Sequence, residues 1–142
     1  MHPATPNPLP DMNDQDAIAR FLDGSPHAVV GASRDRSKIG NRVLMCYRQN
    51  QRAAYPINPT ATEIEGQQAY ADLASLPEPV HGISVITPPV VAESIVDQAI
   101  EIGIKHIWFQ PGAESVAALE KAHAHGINVI AGGACLLVLL NT

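Results

Sequence analysis

Between Ala28 and Leu44 the chain reads "AVVGASRDRSKIGNRVL". A short apolar run ends at Gly31, a loop carrying Ser33, Arg34, Arg36 and Lys38 follows, and Gly40 opens a helix-like stretch. These residue types in this order suit a bound phosphate. Gly31 lets the chain turn and lets a phosphate approach the backbone, and Ser33 offers a hydroxyl. Lys38 and the two arginines can neutralise charge from the side. A helix starting near Gly40 points its free N–H groups and the positive end of its dipole at the anion. The spacing is not Gly-x-Gly-x-x-Gly, because Ser33 stands where a second glycine belongs. Nor is it a P-loop, because Gly31 is too far from Gly40. The competing reading of the same residues is a tight β–α turn and a solvated basic surface.

Composition bounds the partner. The chain has 142 residues, 46% hydrophobic and 16% charged, as expected for one compact domain with a real core. The net charge is −5, yet six of the nine basic residues fall between Arg34 and Arg52. An acidic protein with one basic segment points to a small anionic ligand. It argues against general nucleic-acid or anionic-membrane binding, and 4% aromatics leave little for stacking single strands. No apolar window is long enough to span a membrane.

Other chemistry-bearing residues do not assemble into a catalytic constellation. His123 and His125 are two apart on an expected helix and face different ways, so they cannot chelate one metal. The remaining histidines, His2, His27, His81 and His106, have no partner recognisable by spacing. Cys46 and Cys135 lack metal-ligand spacing and read as free thiols in a reducing cytosol, implying a cytoplasmic protein. Trp108 and Phe109 read as core.

The elements that must position the loop follow from periodicity. The proline-rich segment 1–12 is expected to be a flexible tail, and 13–142 the domain. Asn13 would cap a helix from Asp14 to Asp23 with Ile18, Phe21 and Leu22 on its apolar face. Strands are expected at 28–31, 53–58 (with Pro56 as a flaw), 82–87, 106–110 and 128–133, with "QQAY" at 67–70 as a short further strand. Helices are expected at 40–50, 88–103 and 114–126, the second with Val91, Ile95, Ala99 and Ile102 at helical spacing. Strands and helices of this length in alternation predict an α/β fold: a single Rossmann-like, doubly wound parallel sheet with helices on both faces.

Such sheets bind ligands beyond the carboxyl ends of their strands. The rule selects "GASRDRSKIG", "NPTAT", "TPP", "QPGA" and "GGAC", and places Cys135 on the ligand side. A dinucleotide site carries an acidic residue at the end of the second strand. Here that place is Asn58-Pro59-Thr60, which disfavours NAD and NADP and favours another phosphorylated adenosine ligand.

The motifs "VVGASRDRSKIGNRV", "YPINP", "GISVITPP", "GIKHIWFQPGAES" and "INVIAGGACLL", in this order, resemble the small CoA-binding proteins. Those proteins are similar to the CoA-binding domain of the succinyl-CoA synthetase alpha chain. The resemblance covers about residues 18 to 140. It implies coenzyme A, free or acylated, as the ligand. Gly31, Ala32, Ser33, Lys38 and Gly40 would hold the phosphates, and Asn58 and Pro59 would flank the adenosine half. Ile86, Thr87 and Pro88 would line the cofactor, with Gln110 and Gly112 near its far arm. Relatives often have a basic residue after the "NP" motif. Thr60 stands there in this chain, so Arg34 or Arg36 would take over that contact. The synthetases carry their phosphorylated histidine on a second domain, which has no counterpart in this sequence.

Three functional readings follow. The first is a non-catalytic CoA or acyl-CoA binder, regulatory in character. The second is an NAD(P)-binding redox sensor or oxidoreductase fragment. The third is a subunit completing an acyl-CoA ligase with a partner chain. A partner protein or a homo-oligomer is compatible with each.

Overall fold

The computed structural model describes residues 15–131 and 135–136. The proline-rich tail, the Asn13 cap, Gly132 and Gly133 lie outside the described residues. The elements are α1 (Gln15–Leu22), β1 (His27–Val30), α2 (Ile39–Gln49), β2 (Ala54–Ile57), β3 (Glu63–Ile64), β4 (Gln67–Gln68), β5 (Gly82–Val85), α3 (Pro89–Glu101), β6 (His106–Phe109), α4 (Val116–Ala124) and β7 (Asn128–Ile130). A single 3-10 turn, Leu73–Ser75, precedes β5.

β2-β1-β5-β6-β7 form one five-stranded sheet in that order, with every pairing parallel. Its neighbours fix which side chains face which layer. Ala28, Val30, Ile83, Val85, Ile107 and Phe109 face α3 and α4, packing on Ala92, Val96, Ala99, Ala118 and Ala122. Val29, Trp108 and Ile130 face the other way, against Ala17 and Phe21 of α1 and Val43, Leu44 and Tyr47 of α2. Strands buried on both faces read as near-continuous apolar runs, as these do. His27 and Ser84 are buried polar exceptions, and the Ser84 hydroxyl bonds Tyr47 Oη at 2.7 Å. This is the expected Rossmann-like, doubly wound architecture. The chain runs outward from β1 to β2, then returns past β1 to β5, so the topological switch point lies between β1 and β5.

Two expectations need correction. "QQAY" does not join the main sheet as a strand. Gln67 and Gln68 pair antiparallel with Glu63 and Ile64 in a separate hairpin. Glu65 and Gly66, with φ of 51° and 78°, form its tip, the two-residue turn that matches strand twist. Tyr70 alone bridges to Ile57. On α3 the buried stripe is Ala92, Ile95, Val96 and Ala99. Val91 and Ile102 are partly exposed, because the stripe is centred one residue further along than the largest apolar side chains suggested.

β2 is an edge strand, which is how it tolerates Pro56. On its outer side Tyr70 N–H donates to Pro56 O at 2.9 Å, and Asn58 N–H donates to Tyr70 O at 2.9 Å. Gln67 Nε2 donates to Ala54 O at 2.7 Å.

Candidate functional site

The loop from Gly31 to Lys38 leaves the carboxyl end of β1 at the switch point. Gly31 has φ of 99°, and a Cβ there would sit 2.9 Å from Ile86 O, so this turn demands glycine. Gly40 is tighter still: a Cβ would lie 2.0 Å from Gly31 O. Its absence lets the first turn of α2 press onto the end of β1.

That first turn is not capped by a side chain. Lys38 is the N-cap, with no side-chain capping bond. Asn41 and Arg42 N–H donate to Lys38 O, and Lys38 N–H donates to Asp35 O. The N–H groups of Ile39 and Gly40 have no acceptor among the described residues. They open onto a cavity of about 510 Å³ lined by Gly31, Ala32, Ser33, Ser37, Lys38, Ile39, Gly40, Asn58 and Ile86. Two unsatisfied donors at a helix start, beside a lysine, are an arrangement that can hold an anion.

Gly31 also lines a second, apolar cavity of about 370 Å³. Val30, Ile57, Pro59, Leu73, Val91 and Ile95 make its walls, with Asp72, Thr87, Pro88 and Gln98 among the other lining residues. Thr87 Oγ1 is buried without a hydrogen-bond partner. A polar cavity that shares Gly31 with an apolar one suits a ligand with a charged phosphate portion and a flat or aliphatic portion.

The loop is braced from outside. Arg36 donates to both carboxylate oxygens of Glu65, at 3.0 and 3.1 Å. Asn41 Nδ2 donates to Glu65 Oε2 at 2.8 Å and to Ser33 O at 3.0 Å. The Arg36 and Asn41 hydrogen bonds hold the Glu65 carboxyl down at about 2, well below the usual carboxylate range. Arg48 ties the hairpin to α2 through Glu65 O and Gln67 Oε1, each at 2.7 Å. Within the loop, Asp35 Oδ1 accepts from the Ser37 hydroxyl and N–H, which lowers the Asp35 carboxyl. Asn58 Nδ2 donates to Ala32 O at 2.9 Å, while Asn58 Oδ1 accepts from Thr60 and Ala61 N–H.

Of the sequence candidates, Gly31, Ala32, Ser33, Lys38, Gly40, Asn58, Pro59, Ile86, Thr87 and Pro88 thus come together around the two cavities. Arg36 lines neither cavity and is occupied by Glu65. Arg34 is exposed and lines neither. Gln110 is buried at the end of β6, where its Oε1 accepts from Leu136 N–H at 3.2 Å and its Nε2 has no partner among the described residues. Cys135 is the neighbour of Leu136 and is half-buried, with a free thiol. Gly112 is exposed, in a turn with φ of 93°. These three lie outside both cavities. Cys46 is buried; burial, and secondarily Cys135, push its thiol up, which makes it a poor nucleophile. Asp72, Leu73, Gln98 and Glu65 escaped sequence reasoning. Leu73 and Gln98 sit in ordinary apolar and helical patterns, and the Glu65 contacts depend on a hairpin fold-back.

The family profile described as "CoA binding domain" matches residues 26–141. A conserved hypothetical protein from Pyrococcus furiosus has a structure 35% identical in sequence, covering 80% of this chain and 97% of that one, with a TM-score of 0.75. A hypothetical protein from Pyrococcus horikoshii is 25% identical, covers 94% of both chains and has a TM-score of 0.84. Among curated proteins, the ADP-forming acetate–CoA ligase I of Archaeoglobus fulgidus is 25% identical over 125 residues. The match covers 81% of this chain but only 18% of the ligase.

Proposed function

Because the chain belongs to the family of CoA-binding domains, we propose that it binds coenzyme A, free or acylated, across the two cavities and does no chemistry on it. The observation that carries this reading is the uncapped first turn of α2. Its two free N–H groups open onto a polar cavity that shares Gly31 with an apolar one. In this reading Gly31, Ala32, Ser33, Lys38 and Gly40 hold the diphosphate. Pro59, Thr87 and Pro88 bound the adenosine half, with the apolar wall of Ile57 and Leu73 behind it. Ile86 separates the two parts. Gln110, Gly112 and Cys135 lie towards the thiol arm. Arg34 remains available to an outer phosphate, and Arg36 serves that role only by leaving Glu65. Asn58 holds the loop rather than the ligand, which also leaves the expected ribose-binding carboxylate of an NAD site without a substitute there.

The test is ligand-dependent stability. At a CoA concentration of 100 times its dissociation constant, binding adds about 2.7 kcal/mol. A thermal shift with CoA and none with NAD is expected. Equal shifts, or none with CoA, overturn the reading. The match to a ligase over most of this chain favours a second reading, a subunit whose partner supplies catalysis. Co-purification with an ATP-grasp chain tests it.

A further inference from the structure

At the opposite pole of the sheet, where β6 and β7 begin, a separate open cavity of about 500 Å³ lies beside the last turns of α1 and α4. Its lining includes two basic side chains, Arg20 and Lys105, two histidines, His106 and His123, and Asn128, with no carboxylate. That is the reverse of the chain's balance of −5.

Part of this lining is held in place. Arg20 donates to Asn128 Oδ1 at 3.0 Å, and Asn128 Nδ2 donates to Ala17 O at 2.9 Å and to His106 Nδ1 at 3.0 Å. A donating amide makes His106 Nδ1 the acceptor, so Nε2 carries the ring proton and is a donor. Helix ends ordinarily account for cations at such a pole, because their carbonyls attract them. Here those carbonyls have other partners. Arg20 O, Phe21 O and Leu22 O bond His81 Nε2, His27 Nε2 and an Arg52 amino group, each at 2.8 Å. Lys121, Ala122 and His123 O accept from backbone N–H groups of His125, Ile127 and Gly126. Among the described residues, the side chains of Lys105 and His123 have no hydrogen bond or ion pair.

We propose that this cavity is a second binding site, for a small multivalent anion presenting phosphate or carboxylate oxygens. One charge at an exposed cation gains little in water. A group with several oxygens would meet Arg20, Lys105, His106 and His123 together, which a monovalent ion cannot.

The test is a titration of the full chain with inorganic phosphate and, separately, citrate, at constant ionic strength with CoA present. The signals followed are the ring-proton NMR resonances of His106 and His123, with chloride as the control. Saturable shifts at both rings are expected, weakened at least tenfold in a Lys105→Gln/His123→Gln variant, read there at His106. Saturation by phosphate alone assigns a phosphoryl group, and by citrate alone a carboxylate. Linear shifts matching chloride, wild-type affinity in the double variant, or loss of binding in Lys38→Ala overturn the proposal. CoA affinity unchanged in the double variant separates this site from the one at the other pole, and these ring signals report here even if CoA does not bind.

Discussion

At the scale of single residues, Lys38 and Gly40 divide the work of the proposed anion slot between charge and space. The Lys38 side chain is exposed beside free N–H groups and makes no hydrogen bond or ion pair among the described residues. Lys38→Ala is therefore expected to weaken CoA binding by about 1.5–3 kcal/mol, the range for a hydrogen bond to a charged group, with the unfolding midpoint unchanged. Isothermal titration and urea denaturation check the two halves. Gly40→Ala should do the opposite first. Its Cβ would meet Gly31 O at 2.0 Å, a backbone atom that cannot swing aside. Overpacking of this kind costs roughly 1–3 kcal/mol, which a urea midpoint will report before any ligand is added. Both residues were legible as parts of a glycine-bearing loop that runs into a helix, but the reason for Gly40 was not. Sequence shows a glycine at a helix start; only the packed structure shows that the helix rests on the turn before it.

At the scale of elements, the β3–β4 hairpin acts as a strut across the loop. Its Glu65 joins Arg36 of the loop to Asn41 of α2, and Asn41 holds Ser33 O. Glu65→Gln is expected to lower CoA affinity several-fold, because the loop must then be ordered at the moment of binding. A slower association rate in stopped-flow measurements is the accompanying sign. The same substitution has a pH signature. The Glu65 carboxyl lies at about 2 in the folded chain against an ordinary 4.5, so its contribution to stability is complete above 4.5 and is lost as pH falls towards 2. Acid denaturation curves of Glu65→Gln should lack that component. The long helices and the apolar strands were readable from periodicity. The hairpin was not, because two-residue strands carry no period, and a turn placing Glu65 at positive φ follows no strong residue preference. The register of α3 differs from the periodicity because Val91 and Ile102 are apolar but border the apolar cavity and solvent.

At the scale of the whole molecule, the two poles of the sheet differ in kind. The carboxyl pole holds glycine loops and cavities. The amino pole holds stacked histidines, with His81 and His106 ring centroids 4.2 Å apart and His27 edge-on to His81 at 5.7 Å. Burial pushes His27 from 6.5 down to about 4, against the raising effect of its bond to Phe21 O. The unfolded chain takes up this proton near 6.5 and the folded chain only near 4. Stability is therefore full above 6.5 and declines as pH falls through 4, by on the order of 3 kcal/mol from this group. Urea midpoints between pH 7 and 4 should show the slope, and His27→Gln should flatten it. Spacing could not reveal this cluster, since its members are far apart in sequence and meet only because β1, β5 and β6 start side by side. The doubly wound sheet was legible because alternation of strands and helices is a global pattern that survives local errors.

The dressing of β2 has a consequence for how copies of the chain can meet. An open parallel sheet offers its outer strand as a template, and a neighbour's strand can pair along it into a fibre. At this edge Pro56 lacks a donor, while Tyr70 and Gln67 already hold the carbonyls of Pro56 and Ala54. Strand-by-strand accretion is blocked along β2, so copies that meet at this edge must do so through side chains, and crowding does not turn it into a seed for aggregation.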